Sequence, residues 1–591
     1  VLIVSGAIGQ SASRVTTKRG ATCMSGVFST LLAPILALWI GALVFVMLDR
    51  LLEPQDRGIA ETVVLVLSLG FLLAAGPRAD VPLSFGVGLA NAGWRGLTPF
   101  LFAGPVSWVL ALVLLGSALA ASLASLQRPT EGRAGRLAAL GAALLFLFAG
   151  DWPTLVSAWM LLDLALLYAL QPGSDPAIRR TAVLSLAGAI CLGVALILWQ
   201  QVPGSIWVAP AAPVDAHAAT ALPPFVAPLG IAAALLRLMP YPLPSWQAPA
   251  ERQERRETRP IAQVVLFALP TLLGAYLWVR LAQWGVAAQG MWSVVLPLWA
   301  GVAMLVGGVK AWIAPDPDRL IAAVNTYGSA FVLLTMGLPL AATWRLAHGL
   351  YVVLSVAVLL VSWTQGQYFR LVNLRTYWRL VPAGLALLSL AGLPFSAGFP
   401  GRVGMYKAIL GDQRWLVLLL AIGAESVFLG AMLRVLFGIE SEAAPAQPSS
   451  RDALASGLGR VQWRREIAFG ASMALAMAMV VLGWTPSRLA LPGLGFWLAL
   501  PTVPVWAAIV LPLIGAIVLY RSQDAILDAL EGWRPLISRL IETDWPYQVI
   551  ERALQQLRAL IWGATQVVQG AGYMAWVVLA CLVLLIFILA R

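Results

Sequence analysis

Seven ionisable side chains stand inside long apolar stretches of this sequence: Glu61, Asp163, Arg237, His348, Arg402, Lys407 and Glu425. Carboxylates, an imidazole and an amine in such surroundings can gain and lose protons. Arginine keeps its proton at any physiological pH, so a guanidinium there fixes a field or holds a carboxylate. A lone charge at the centre of a hydrocarbon layer costs ~2.5–3.5 kcal/mol on insertion scales, so partners are expected. Next to Arg402 the chain reads Leu393-Pro394-Phe395-Ser396-Ala397-Gly398-Phe399-Pro400-Gly401, with Gly392 just before it. Gly392, Pro394, Gly398, Pro400 and Gly401 interrupt a helical ladder and free carbonyls and amides. Within a membrane such backbone survives only where it lines a cavity or packs on protein.

The elements that must carry these groups are membrane helices. Of 591 residues, 60% are hydrophobic and only 11% charged, with a mean hydropathy of +0.84. That is too much apolar surface for one aqueous core, and the runs are continuous rather than alternating, which excludes a barrel. Roughly sixteen runs approach the ~20 residues that a span needs, giving an all-α polytopic protein with broken helices. Fourteen basic residues, Arg133, Arg136 and Lys310 among them, fall in alternate loops, against Arg280 and Arg345 in the others. The first set is therefore expected on the cytoplasmic side, and the net charge of +12 reflects this bias, not nucleic acid.

The expected organisation is a tail over 1–25, a core over 26–440, further spans over 441–521, an amphipathic surface helix over 522–570 and a last span over 571–591. The tail lacks an apolar core long enough for a signal peptide, and translation is expected to start at Met24. Ile550, Leu554, Leu557 and Ile561 form one apolar stripe, which suits a helix on the membrane surface or a cytoplasmic helical linker. Cys23, Cys191 and Cys581 are scattered and His217 and His348 are the only histidines, so no metal or other cofactor is expected. No nucleophile–base constellation or phosphate-binding loop is visible, so the chain has no catalytic site of its own.

The stretch from Leu393 to Arg402 resembles the Gly-x-Pro-x-x-(Ala/Gly)-Gly-Phe signature of the antiporter-like subunits of complex I, Mrp antiporters and membrane-bound hydrogenases. Further similar stretches follow in the family's order: Asp151-Trp152-Pro153 through Trp159, Pro242-Leu243-Pro244-Ser245-Trp246, Pro260-Ile261-Ala262 with Gly274, Tyr276 and Arg280, and Asp318-Arg319-Leu320-Ile321-Ala322. The resemblance covers roughly residues 60–440, and the surface helix with a final span is similar to the extension of the L-type subunit.

The resemblance implies a subunit that moves protons or cations within a multisubunit, redox-linked complex in the cell inner membrane. Its partners would be other integral membrane subunits, antiporter-like ones included, lipids and a redox module. It also implies a buried path of one glutamate and several lysines, from which this chain departs. Met160 stands at the glutamate position, with Asp163 one turn later; Arg237, Leu272 and Arg402 stand at lysine positions, and Val352 follows His348 where the family has lysine. Asp163 and Arg237 are expected to form a shifted copy of the family's Glu–Lys pair, unless Asp163 caps a water-filled vestibule without touching Arg237. Lys407 is the titratable lysine left near the broken span, since the chain has three lysines against 36 arginines. Asn325, Thr326 and Ser329 either hold water or bond across helices. The alternative function is a non-conducting scaffold with a degenerate proton path.

Overall fold

The computed structural model describes residues 16–48, 54–76, 83–84, 100–101, 103–124, 132–150, 152–170, 176–200, 225–243, 261–283, 290–314, 317–338, 381–438 save 395 and 397, 466–481 save 468, 502–532, and positions between 552 and 583. The helices are α1 (Thr16–Leu48), α2 (Pro54–Ala75), α3 (Pro105–Ala124), α4 (Arg133–Phe148), α5 (Trp152–Leu170), α6 (Pro176–Gln200) and α7 (Val226–Leu238). They continue with α8 (Ile261–Gln283), α9 (Trp292–Ile313), α10 (Pro317–Met336), α11 (Val381–Leu390), α12 (Gly398–Gly411) and α13 (Trp415–Gly438). After them come α14 (Phe469–Val481), α15 (Val503–Arg521) and α16 (Gln523–Glu531).

Eight of the described helices are long and apolar enough to cross a bilayer: α1, α2, α3, α5, α6, α9, α13 and α15. The chain is a polytopic all-α membrane protein. Where the sequence pattern predicts a span from 98, Phe100–Leu101 instead pairs antiparallel with Leu83–Ser84, and Leu101 bridges Ala149. Helix α3 starts only at Pro105, a residue pre-set for the first helical position.

Residues 1–528 form one compact unit and residues 529–591 another. In the second, the described positions from 552 to 565 and from 576 to 583 are helical and exposed. The apolar stripe expected at Ile550, Leu554, Leu557 and Ile561 lies outside the described residues.

In the first unit, α4 is buried nearly all round, packed by α1, α3, α5 and α8. A helix with no polar face is wrapped by protein, not by water. The second centre of packing is α9, which contacts α10 and α13, while α13 also meets α15. Gly307 makes the α9–α10 approach possible: a Cβ there would stand 2.8 Å from the Tyr327 amide nitrogen. Small residues at such crossings let helix backbones close up where no hydrophobic effect draws them together.

Candidate functional site: helix ends with buried ion pairs

Helix α7 has 13 residues, about 20 Å at 1.5 Å per residue, too short to cross. It ends because Met239 turns left-handed at φ 48°, closing its N–H onto the Leu235 carbonyl, and because Pro240, Pro242 and Pro244 follow. Proline offers no N–H and bars the preceding residue from helical geometry.

Arg237 lies in the last turn of α7 with 0% exposure, where the helix dipole is negative. Its Nη1 donates to Asp163 Oδ1 on α5 at 2.7 Å and to Ser185 Oγ on α6 at 3.1 Å. The Trp159 indole N–H donates to the same Ser185 hydroxyl at 2.9 Å, and the guanidinium carbon lies 5.2 Å from the Trp159 ring centroid. Asp163 Oδ2 and Arg237 Nε and Nη2 are buried with no protein hydrogen-bond partner. Polar atoms left this way cost ~1–3 kcal/mol each unless internal water satisfies them.

The second centre repeats this plan. Helix α11 ends at Leu390, and the chain turns through Gly392 at φ 67° before α12 begins at Gly398. Gly398, Pro400 and Gly401 thus open the second half-helix, while Gly392 and Pro394 lie in the turn itself. The break frees the Leu390 carbonyl, and Arg402 Nη2 from the first turns of α12 donates to it at 2.7 Å. Arg402 also forms an ion pair with Glu425 on α13 and lies 4.1 Å over the Phe331 ring. The Tyr406 hydroxyl donates to the other Glu425 oxygen at 2.8 Å. Each centre therefore combines a helix end, a fully buried arginine, a carboxylate on a neighbouring helix, a hydroxyl and an aromatic face.

Glu61 supplies a third buried charge, held at 3% exposure. Arg136 grips it through Nε at 3.1 Å and Nη2 at 2.9 Å, and Arg133 Nε stands 3.7 Å away. The loop position predicted for Arg133 and Arg136 is corrected here. Both belong to the first turn of α4 and are buried, because the Glu61 carboxylate on α2 meets them.

Arg280 is corrected likewise, from loop to buried last turn of α8. Its Nη1 donates to the Ala149 carbonyl at 2.8 Å and to the Tyr276 hydroxyl at 3.1 Å, while that hydroxyl donates to the Leu147 carbonyl at 2.9 Å. The pair thereby satisfies carbonyls that the end of α4 leaves without intrahelical partners. Tyr276→Phe is expected to lower stability by about 1–3 kcal/mol, since a buried carbonyl loses its donor and Arg280 an acceptor. Thermal unfolding in detergent checks this; an unchanged midpoint would remove the capping role.

Other predicted residues fall apart from these centres. Lys407 is exposed, five positions past Arg402 and so about 140° round the helix from it. His348 lies outside the described residues. Asn325, Thr326 and Ser329 are buried on α10, with Ser329 Oγ donating to the Thr326 carbonyl at 3.0 Å. Missed by the sequence reading were Ser185 and Tyr406, whose hydroxyls carried no signal beyond their type.

No family model matches the chain. It is 30% identical over 210 residues to NADH-quinone oxidoreductase subunit N of Cereibacter sphaeroides, a match covering 34% of this chain and 43% of that protein. A chain of the Mrp complex from Dietzia sp. DQ12-45-1b is similar in structure, with TM-score 0.73, 19% identity, and coverage of 96% of this chain and 63% of that one. The archaeal membrane-bound sulfane sulfur reductase, a respiratory membrane complex, has a chain with TM-score 0.69, 18% identity, and coverage of 95% and 100%. Respiratory complex I from Thermus thermophilus gives TM-score 0.53, 21% identity, and coverage of 78% and 99%. The chain thus spans less than half of the curated relative and under two thirds of the Mrp chain. It shares its fold with chains of these membrane complexes, and over the 210 aligned residues it is similar in sequence to NADH-quinone oxidoreductase subunit N.

Proposed function

We propose that the chain is a membrane subunit of a multisubunit, redox-linked complex and takes part in proton translocation across the cell inner membrane. The observation that carries this is the pair of buried arginines, one at the end of α7 and one just past the break between α11 and α12, each delivered to a carboxylate: Arg237 to Asp163 and Arg402 to Glu425. Neither guanidinium can titrate, so the moving protons belong to Asp163 and Glu425. Protonating Asp163 dissolves its attraction to Arg237 and leaves a fixed positive charge that drives the next proton away. Ser185 and Tyr406, each bonded to a member of its pair, offer hydroxyls on which a proton can pass.

The scaffold reading draws on Met160 and Leu272, which stand where the resemblance calls for titratable groups. One experiment separates the two. The protein is purified from native membranes with its bound subunits, reconstituted in vesicles, and driven by an imposed potential with a pH-sensitive dye inside. Asp163→Asn is expected to cut proton flux by about a hundredfold, the low end of what a positioned proton-transfer group contributes. Equal flux in wild type and variant supports the scaffold. The membrane subunits that co-purify identify the complex.

A further inference from the structure

Trp159 meets all three polar members of the Asp163 centre: it donates to Ser185, lies under Arg237 and faces Asp163. It sits on α5 four positions before Asp163, one turn along the same helix face, and is fully buried. Three neighbours fix its ring. Phe146 on α4 meets it edge-on, with centroids 6.3 Å apart and planes at 77°. Gly188 on α6 offers bare backbone, where a Cβ would stand 3.0 Å from Trp159 Cζ2. The Arg237 guanidinium covers the ring at 5.2 Å. Held this way, the indole N–H reaches Ser185 Oγ at 2.9 Å, and the same oxygen accepts from Arg237 Nη1 at 3.1 Å. A hydroxyl has two lone pairs and one hydrogen. Ser185 is therefore full as an acceptor, and its own hydrogen is left for the Asp163 carboxylate that it faces.

We propose that Trp159 is a positioning residue that limits how long Asp163 keeps a proton, acting as a latch through Ser185. This rests on the proton-translocation reading above. A protonated Asp163 carries an O–H that needs an acceptor, and Ser185 offers none while the indole and the guanidinium occupy both its lone pairs. An ionised Asp163 needs donors, and both Ser185 and Arg237 supply them. With the indole seated, the centre favours the ionised, paired state. When the indole lifts off, one lone pair opens and Ser185 can accept the Asp163 O–H. The surrounding charges leave this balance to the latch. Helix α5 packs on α4 and α6. The arginines of α4, Arg133 and Arg136, stand at Glu61, and those of α6, Arg179 and Arg180, lie near its start. Among the described residues, Arg237 from α7 is the charge that acts on Asp163.

The test is the pH profile of proton flux in the reconstituted native complex, taken per assembled complex for Trp159→Phe, Ser185→Ala and the two together. Phenylalanine keeps a ring under Arg237 and drops the N–H. With one Ser185 lone pair freed for the Asp163 O–H, the pH of half-maximal flux is expected to rise by about one unit in Trp159→Phe, the scale of one hydrogen bond. Added to Ser185→Ala, the same exchange is expected to change nothing further, because the latch acts only through the hydroxyl. An unchanged profile in Trp159→Phe, beside a silent Asp163→Asn, would overturn the latch while leaving the proposed function intact. An equal displacement in both backgrounds would also overturn it, since the bulk of the ring would then be the cause. A wild-type protein that passes no protons would remove both readings. Should Trp159→Phe fail to assemble, Trp159→3-benzothienylalanine, which keeps the indole outline with sulfur in place of the N–H, is measured instead, and an unchanged profile there likewise overturns the latch.

Discussion

Replacing Arg237 with methionine is expected to destabilise the protein by about 3–5 kcal/mol, because the change leaves the buried Asp163 carboxylate without its counter-charge. Asp163 is 6% exposed and its contact with Arg237 is 2.7 Å long. With the guanidinium gone, only the uncharged Ser185 hydroxyl and Trp159 indole remain to face the carboxylate. The loss comes from leaving one charge uncompensated, so removing the other should recover most of it. Arg237→Met with Asp163→Asn is therefore expected to unfold closer to wild type than Arg237→Met alone, a non-additivity that a double-mutant cycle reads directly. Additive losses would mean that the two side chains stabilise the fold independently. Arg237→Lys makes the complementary point. A lysine there keeps the pairing and gains the ability to titrate, so this variant should assemble and conduct at least as fast as wild type.

Local composition made part of this legible and long-range packing hid the rest. Asp163 and Arg237 are readable because each interrupts an apolar run, and a charge that cannot reach water must find its opposite. Arg402 is readable for the same reason, aided by glycines and prolines that no continuous helix would keep. Its acceptors are not, since Glu425 lies 23 positions away and only the packing of α13 beside the break brings the two together. Arg133, Arg136 and Arg280 misled the sequence reading because arginines near span ends are usually loop residues. Here Glu61 draws the first two inward, and the free carbonyls at the end of α4 draw in the third. Charge bias locates the end of a helix, but it says nothing of whether a long side chain at that end points to solvent or reaches back along the protein.

Gly392→Ala is expected to be severely damaging for a single added methyl group. At φ 67° the backbone of Gly392 occupies left-handed space, which costs an L-residue ~1–2 kcal/mol before any contact is considered. The added Cβ would also stand 2.1 Å from Arg402 Cγ and 2.9 Å from its Cβ. That side chain cannot yield. Its far end is fixed by the Leu390 carbonyl at 2.7 Å and by Glu425, with Phe331 against its flat face. Moving it strands Glu425, whose other oxygen holds only the Tyr406 hydroxyl, and breaking a buried pair adds about 3–5 kcal/mol. The expected result is a fall of at least ~4 kcal/mol in stability, read as a lower unfolding midpoint, together with loss of proton flux in whatever fraction still folds. Gly423→Ala on α13 is the control, because a Cβ there meets nothing within 4 Å and alanine improves helix propensity by up to ~1 kcal/mol. If Gly392→Ala behaves like Gly423→Ala, the turn between α11 and α12 is loose enough to re-form around a side chain. Arg402 would then not be clamped, and the second centre would hold no fixed charge for Glu425 to work against.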